Sequence, residues 1–182
     1  NLNDAHALAA MLKTLHQIPI PTIARVQGAA FGGAVGLISC CDIAVASSKA
    51  SFALSEVKIG LVPSTISPYV IAAIGERQAK RYFMTAERFD PNTAMQIGLV
   101  HEAVDEQLLD DKIEQLVGAI LSNGPEAVAA AKQLVFAVSG KAIDSPLIEH
   151  TSEIIAGIRV SGQGQEGLNA FLEKRKPNWL KD

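Results

Sequence analysis

Two short features of the chain have residue types and spacing that could perform chemistry. The first is the pair Gly32-Gly33, which precedes a short apolar segment predicted to be helical. A glycine pair lets a ligand approach the backbone closely, and the free N–H groups at a helix start can hold an oxyanion or a phosphate. The same pair could instead serve only the close packing of a helix against a strand. Gly32-Gly33 is therefore a candidate site for a negatively charged oxygen.

The second feature is Glu56, the only acidic residue between Asp42 and Glu76. It follows a predicted strand and precedes the apolar segment 57–63. A carboxylate in apolar surroundings is suited to general acid or base catalysis. The alternative is a surface glutamate paired with Lys58. The residues alone leave both interpretations open.

The other polar residues form weaker candidates. The 4 histidines are scattered without the spacing of metal ligands, so no metal site is predicted. Neither a nucleophile elbow nor a phosphate-cradling loop is found. The cluster Glu173-Lys174-Arg175-Lys176 is either a solvated helix end or a contact to ligand phosphates.

Short elements of both types must position these residues. Strands are predicted at 22–26, 42–46, 51–54 and 99–104, with the segment 27–33 as a small-residue loop. Helices are predicted at 4–15 and 34–41, on both sides of Gly75, from Asp90-Pro91 to Gly98, from near Asp105, Pro125 and Ser145, and over 166–174. Strand, glycine loop, helix and strand in that order are typical of an α/β fold. We expect an α/β core over residues 1–104 and a helical region over 105–182.

Composition excludes several classes of protein and partner. The 182 residues are 48% hydrophobic with a net charge of -3, which argues against a disordered chain and against nucleic acid or anionic lipid as a partner. No apolar stretch approaches the roughly 18 residues of a membrane span, so no membrane partner is expected. Cys40 and Cys41 are expected to pack as small apolar residues in a reducing compartment such as the cytoplasm. Because a helical pattern is already under way near Asn1, we expect the chain to be a piece of a longer protein.

Several ordered motifs carry a resemblance to a known family. They are IARVQGAAFGG at 23–33, CDIAVA at 41–46, FALSEVKIGLVP at 52–63, AMQIGLV at 94–100 and EGLNAFLEKRKP at 166–177. In this order and spacing the chain resembles the enoyl-CoA hydratase/isomerase (crotonase) superfamily over essentially its whole length. Segments 55–70 and 75–83 are most similar to the branch of methylglutaconyl-CoA and isohexenylglutaconyl-CoA (γ-carboxygeranoyl-CoA) hydratases, which implies leucine or acyclic terpenoid breakdown.

The resemblance implies a crotonase-like (ClpP/crotonase) spiral of β-β-α units. Residues 1–104 would form the C-terminal part of this spiral core, and the first spiral turns would precede Asn1. Residues 105–182 would form the helical region that builds trimers, often paired into hexamers. We therefore expect a homotrimer or a hexamer.

The resemblance also implies an acyl-CoA substrate. Family members polarise the thioester carbonyl between two backbone N–H groups, of which Gly33 matches one and a segment preceding Asn1 would supply the other. Glu56 matches a catalytic glutamate of these enzymes. The expected substrate contacts are Gly32, Gly36, Ser64 and Tyr69 in the pocket and Lys174 at the coenzyme A phosphates. No cofactor is expected, because coenzyme A is part of the substrate.

The chain departs from the best-known hydratases at Gly36, where they carry a second glutamate. Either Glu56 delivers both the water and the α-proton, or another group supplies the missing function, or the reaction is not hydration. A glutaconyl-type substrate brings its own carboxylate, which a second glutamate would repel. We therefore expect Gly36 to remove that charge and to make room for a branched acyl group.

The leading hypothesis is hydration of a branched, methylglutaconyl-type enoyl-CoA by a single glutamate. One alternative is a double-bond isomerase, since one carboxylate suffices to move a proton between two carbons. The other is a catalytically silent member that binds acyl-CoA or serves in assembly, because a fold does not guarantee an activity.

Overall fold

The computed structural model describes residues 1–180. The chain forms two compact units. The first comprises Asn1–Ile18 and Thr22–Gln115, and the second comprises Pro19–Pro21 and the residues from Leu116 onward.

The first unit alternates short strands with helices. Its strands are β1 (Ile23–Val26), β2 (Ala29–Phe31), β3 (Ile43–Ser47), β4 (Ser51–Ala53) and β5 (Glu102–Val104). Its helices are α1 (Leu2–Gln17), α2 (Gly33–Cys40), α3 (Ser67–Thr85), α4 (Pro91–Gln96) and the first part of α5 (Leu109–Leu121), with 3₁₀ helices at Glu56–Ile59 and Glu106–Leu108. The mixture of elements is that of an α/β protein.

A β-β-α unit occurs twice in succession. The first is β1-β2-α2, and the second is β3-β4-α3. β1 pairs in parallel with β3, which pairs in parallel with β5, while β2 pairs in parallel with β4 in a separate sheet. Equivalent strands of successive units thus lie side by side, which confirms the spiral α/β fold.

Apolar side chains fill the core of the first unit. Phe52 is fully buried on β4 and stacks on Phe89 with ring centroids 5.5 Å apart. Leu12 of α1 and Leu54 are also fully buried. Cys40 is buried at the end of α2, and this burial raises the pKa of its thiol to about 11. Neither Cys40 nor Cys41 is part of a disulfide, and Cys40 packs in the core as expected, whereas Cys41 is half-buried.

Strand β2 corrects the sequence interpretation, which treated residues 27–33 as a loop. Its three residues are Ala29–Phe31, too few to show an alternating pattern. The strand exists because it pairs with β4, where Phe31 lies opposite Ala53. The Gly32 N–H extends this pairing by donating to the Ala53 carbonyl oxygen at 2.9 Å.

Local signals in the sequence placed other boundaries well. Gly75 has φ 75° and ψ 158° and separates two helical stretches within α3, as predicted. The Asp90 side chain accepts a hydrogen bond from the Thr93 N–H at 2.7 Å and caps α4. Proline follows this cap at the first helical position, which confirms the predicted helix start.

The second unit consists of helices. It contains the end of α5, α6 (Pro125–Val138), α7 (Ser145–Val160) and α8 (Gly162–Glu173). The starts of α6 and α7 agree with the prediction, but α8 begins at Gly162 rather than near Glu166. The reason is a cap, since the Ser161 hydroxyl accepts a hydrogen bond from the Gly164 N–H at 3.0 Å. The assignment of residues 105–182 to oligomerisation stays a prediction.

None of the helices within residues 1–180 combines the length and the apolar character needed to cross a membrane.

Arg175 and Asn178, which follow α8, form hydrogen bonds with Glu166 on that helix. The Arg175 guanidinium donates to both carboxylate oxygens of Glu166, at 2.7 and 3.0 Å, and the Asn178 N–H donates to the same carboxylate at 2.9 Å. The hydrogen bonds from Arg175, followed by the one from Asn178, lower the pKa of Glu166 below its ordinary value of 4.5. These bonds favour the charged carboxylate in the folded state.

We expect the Glu166 carboxylate to make the free energy of unfolding depend on pH in the acidic range. Its pKa is lower in the folded than in the unfolded chain, so its contribution is present above pH 4.5 and lost as the pH falls through the lowered pKa. Glu166→Gln should therefore reduce the drop in thermal midpoint between about pH 6 and about pH 3. Glu153→Gln, at an exposed position on α7, is the control and should leave the drop unchanged. Equal drops in the wild type and Glu166→Gln would contradict the expectation.

Candidate active site

The loop between β2 and α2 exposes the start of a helix. Gly32 has φ 53° and ψ −117°, a backbone conformation that essentially only glycine adopts. It turns the chain so that α2 begins at Gly33, which is exposed. The Gly33 N–H has no acceptor within its own helix, because the first N–H groups of an α-helix lack intrahelical partners. The positive end of the helix dipole adds to the attraction for a negative oxygen at this N–H.

Glu56 lies against this same turn. It is the first residue of the 3₁₀ helix Glu56–Ile59, which follows β4. A Cβ added to Gly32 would stand 3.2 Å from Glu56 Oε1, so the carboxylate packs directly on the glycine. Glu56 Oε2 is buried and has no hydrogen-bond partner within the described residues. A surface ion pair with Lys58 is therefore the wrong interpretation of Glu56.

The parallel pairing of β2 with β4 brings the two candidate features together. Gly32 follows the end of β2, and Glu56 follows the end of β4. Because the carboxyl ends of parallel neighbours meet at one edge of a sheet, the two segments become adjacent. The result is a carboxylate oxygen, without a hydrogen-bond partner in the described part of the chain, beside an exposed helix start. Such a pair can hold a developing oxyanion and move a proton at a neighbouring atom.

Gly36 does not border open space. It is buried in α2, and a Cβ at this position would overlap Ile66 Cγ2 and lie 2.6 Å from Ile66 Cβ. Ile66 itself is only 2% exposed. This corrects the expectation that Gly36 makes room for a branched acyl group, because Ile66 already occupies that room. The sequence carried no signal for this contact, since Ile66 is an ordinary apolar residue at the start of a helix.

Tyr69 lies one helical turn beyond Ile66 on α3. Its ring meets the His16 ring edge-on at 5.2 Å. Burial, together with the nearby Cys40, raises the pKa of its hydroxyl. Cys40 is the last residue of α2, so Tyr69 lies near that end of the helix. Its expected contact with substrate stays a prediction.

Ser64 and Lys174 are the two remaining expected substrate contacts. Ser64 is exposed in the segment before α3, and its carbonyl oxygen accepts hydrogen bonds from the Ser67 N–H at 3.2 Å and the Ser67 hydroxyl at 2.8 Å. Lys174 belongs to the second unit, where it ends α8 with φ 54° and is exposed. Their contacts with a ligand stay predictions. Within the described residues, no group of three or more His, Cys, Asp and Glu side chains is arranged to hold a metal ion.

Comparison with known families identifies the class of protein. The profile of the enoyl-CoA hydratase/isomerase family matches residues 4–182. The chain therefore belongs to the enoyl-CoA hydratase/isomerase family.

Individual relatives agree with this assignment. A crystal structure of an enoyl-CoA hydratase from Shewanella pealeana superimposes with a TM-score of 0.94 and 52% identity, covering 98% of this chain and 67% of that one. The crystal structure of human enoyl-Coenzyme A hydratase domain-containing protein 3 gives a TM-score of 0.89 and 30% identity over 96% of this chain and 68% of that one. The crotonyl-CoA hydratase of Syntrophomonas wolfei is 35% identical over 162 residues, which are 88% of this chain and 62% of that protein. This chain thus spans about two thirds of the length of these relatives.

Proposed function

We propose that the protein containing this chain is an enoyl-CoA hydratase, a hydro-lyase that adds water across the α,β double bond of an acyl-CoA thioester. The observation that carries the proposal is the buried Oε2 of Glu56, which has no hydrogen-bond partner among residues 1–180, on a carboxylate that packs against Gly32. A carboxylate oxygen without a partner is free to accept a proton from water. The family of the chain and the crotonyl-CoA hydratase among its relatives support the same reaction.

The proposed reaction needs one acid-base group and an oxyanion site. Glu56 takes a proton from water, and the water oxygen forms a bond to the β-carbon. The electron pair of the double bond moves onto the thioester oxygen, where the Gly33 N–H stabilises the negative charge. The enolate then collapses, and the proton held by Glu56 passes to the α-carbon. Atoms and charge balance without a metal or a redox cofactor, and coenzyme A enters only as part of the substrate.

For the acyl group we propose a branched enoyl-CoA that carries its own carboxylate, of the methylglutaconyl type. Glu56 is the only acidic residue between Asp42 and Glu76, and position 36 holds glycine. A substrate carboxylate next to a second enzyme carboxylate would suffer repulsion and desolvation, which this arrangement avoids. The proposed acyl group is supported by this charge argument. The space beside Gly36 gives no support for a branched acyl group, because Ile66 fills it.

Lys174 is the proposed contact for the coenzyme A phosphates. Its side chain is exposed at the end of α8, whereas its neighbour Arg175 is held by Glu166 and Glu173. Lysine is a common phosphate ligand because it presents a compact positive charge on a flexible stem. Gly32, Ser64 and Tyr69 are kept as proposed substrate contacts on the resemblance alone.

A homotrimer, or a hexamer built from trimers, is the proposed assembly. Large apolar side chains are exposed on the helices of the second unit, including Val160 at 77%, Phe171 at 81% and Leu172 at 74%. Exposed apolar surface of this kind is typical of contacts between proteins. The thiols of Cys40 and Cys41, neither of which is part of a disulfide, are compatible with the proposed cytoplasmic location.

The test offers methylglutaconyl-CoA and crotonyl-CoA separately to the full-length protein and follows the absorbance of the conjugated enoyl thioester. We expect the absorbance to fall with both substrates and to fall faster with the branched acid, because hydration removes the conjugation. Faster turnover of crotonyl-CoA would overturn the proposed substrate class while leaving hydration intact.

An isomerase is the second candidate, because a single carboxylate suffices to move a proton between two carbons. The assay separates the two reactions by the sign of the signal. Unchanged absorbance with both conjugated substrates, together with a rise from a 3-enoyl-CoA, would replace hydration by isomerisation. No change with any of the three would favour a catalytically silent member of the family.

A further inference from the structure

The segment 56–66, which begins with Glu56 and ends with Ile66, contacts α2 at both of its ends. At one end the Glu56 carboxylate packs on Gly32. At the other end Ile66 places its Cβ and Cγ2 atoms where a side chain on Gly36 would lie. Gly32 and Gly36 flank the first turn of α2, so both contacts bear on the helix start that exposes the Gly33 N–H.

The middle of the segment is exposed to solvent. Residues 57–62 are exposed, and between the two ends only Pro63 is buried. Its backbone hydrogen bonds are local, such as those from Lys58 to Ser55 and from Leu61 to Glu56, both 3.1 Å. These bonds fix the shape of the turn, but they do not fix its distance from α2.

Ile66 connects this segment to a rigid element. It is the N-cap residue of α3, and its carbonyl oxygen accepts the N–H groups of Tyr69 and Val70, both at 3.1 Å. Val70 is fully buried, so the first turn of α3 is anchored in the core. The contact between Ile66 and Gly36 therefore sets how closely the start of α3, and with it the end of the Glu56 segment, approaches α2.

We propose that Ile66, seated on Gly36, is a positioning residue that holds the Glu56 carboxylate at its working distance from the Gly33 N–H. This inference rests on the proposed function, in which both groups act on one thioester. A misplacement of about 1 Å can reduce the rate of a positioned reaction about 10²-fold. Gly36 is then required because any side chain there would push Ile66, and the segment it ends, away from α2.

The test compares variants that alter this contact in opposite ways. Gly36→Ala introduces the overlap with Ile66 and should lower kcat about 10²-fold with KM changed less than kcat. Adding Ile66→Gly to Gly36→Ala gives a double variant that lacks both overlapping atoms. Its kcat should be at least ten times that of Gly36→Ala alone, since glycine is tolerated at an N-cap. Ile66→Val keeps the Cβ and a Cγ2 and should retain most of the activity, whereas Ile66→Ala should lower kcat.

Ile74→Ala is the matched control for a loss of packing alone. Ile74 is 6% exposed on the same helix, so its truncation should lower the thermal midpoint while leaving kcat near that of the wild type. Equal kcat values for Ile66→Ala and Ile74→Ala would overturn the proposal. A double variant that folds but is no faster than Gly36→Ala would also overturn it.

A crystal structure of Ile66→Ala gives a result that does not depend on activity. We expect the Glu56 carboxylate to move off Gly32 in this variant and to stay in place in Ile66→Val. An unmoved carboxylate would refute the positioning role even if the protein hydrates no enoyl-CoA. The activity of the wild type in the same assays tests the proposed function, so the two failures are distinguishable.

Discussion

Glu56→Gln is expected to lower kcat for hydration by about 10²–10⁴-fold, the usual contribution of a positioned acid-base group. Glutamine has nearly the same shape as glutamate, but its amide cannot take a proton from water or return one to the α-carbon. KM should change little, because the amide still fills the space against Gly32. The measurement is the steady-state loss of enoyl-thioester absorbance with methylglutaconyl-CoA.

The matched control for this prediction is Glu76→Gln. Glu76 is an exposed glutamate on α3 that pairs with Lys80, so the same chemical change occurs away from the candidate site. Its kcat should equal that of the wild type. If Glu56→Gln kept a kcat close to that of Glu76→Gln, Glu56 would not be the acid-base group.

Gly32→Ala is expected to lower kcat about 10²-fold, because it disturbs both the Glu56 carboxylate and the Gly33 N–H. The added Cβ would stand 3.2 Å from Glu56 Oε1, and the backbone at φ 53° and ψ −117° disfavours any side chain. Relief of the contact moves the carboxylate, and relief of the backbone strain reorients the turn that presents the Gly33 N–H. Strain of this kind is of the order of 1–3 kcal/mol, so the thermal midpoint should fall as well.

Gly140→Ala separates the effect on catalysis from the effect on stability. Gly140 also has a positive φ, 70°, but a Cβ there would meet no atom within 4 Å. Its substitution should lower the thermal midpoint while leaving kcat unchanged. Should Gly32→Ala lower only the thermal midpoint, the glycine would be needed for folding and not for the geometry of the site.

Short-range signals made much of the fold predictable. Asp90 followed by proline marked the start of α4, because a carboxylate can cap the free N–H groups and proline suits the first helical position. Gly75 marked the interruption of α3, because its positive φ is easily adopted only by glycine. Such boundaries depend on a few neighbouring residues, so the sequence alone is enough to place them.

The strand β2 and the start of α8 show where local signals fail. Ala29–Phe31 is a strand only because β4 pairs with it, and three small or apolar residues show no periodicity of their own. Gly162 and Gly164 are poor helix formers, yet the Ser161 hydroxyl caps the first turn of α8. In both places a contact outside the segment, or at its edge, outweighs the local propensity.

The sequence by itself determined the α/β class and made Glu56 and Gly32-Gly33 the candidate groups, because composition and local residue types carry that information. Only the tertiary structure decided that these groups are neighbours, since parallel pairing of β2 with β4 joins segments that are distant along the chain. It also assigned the space at Gly36 to Ile66 rather than to an acyl group. Contacts of this kind depend on how whole elements pack, and no local pattern in the sequence encodes them.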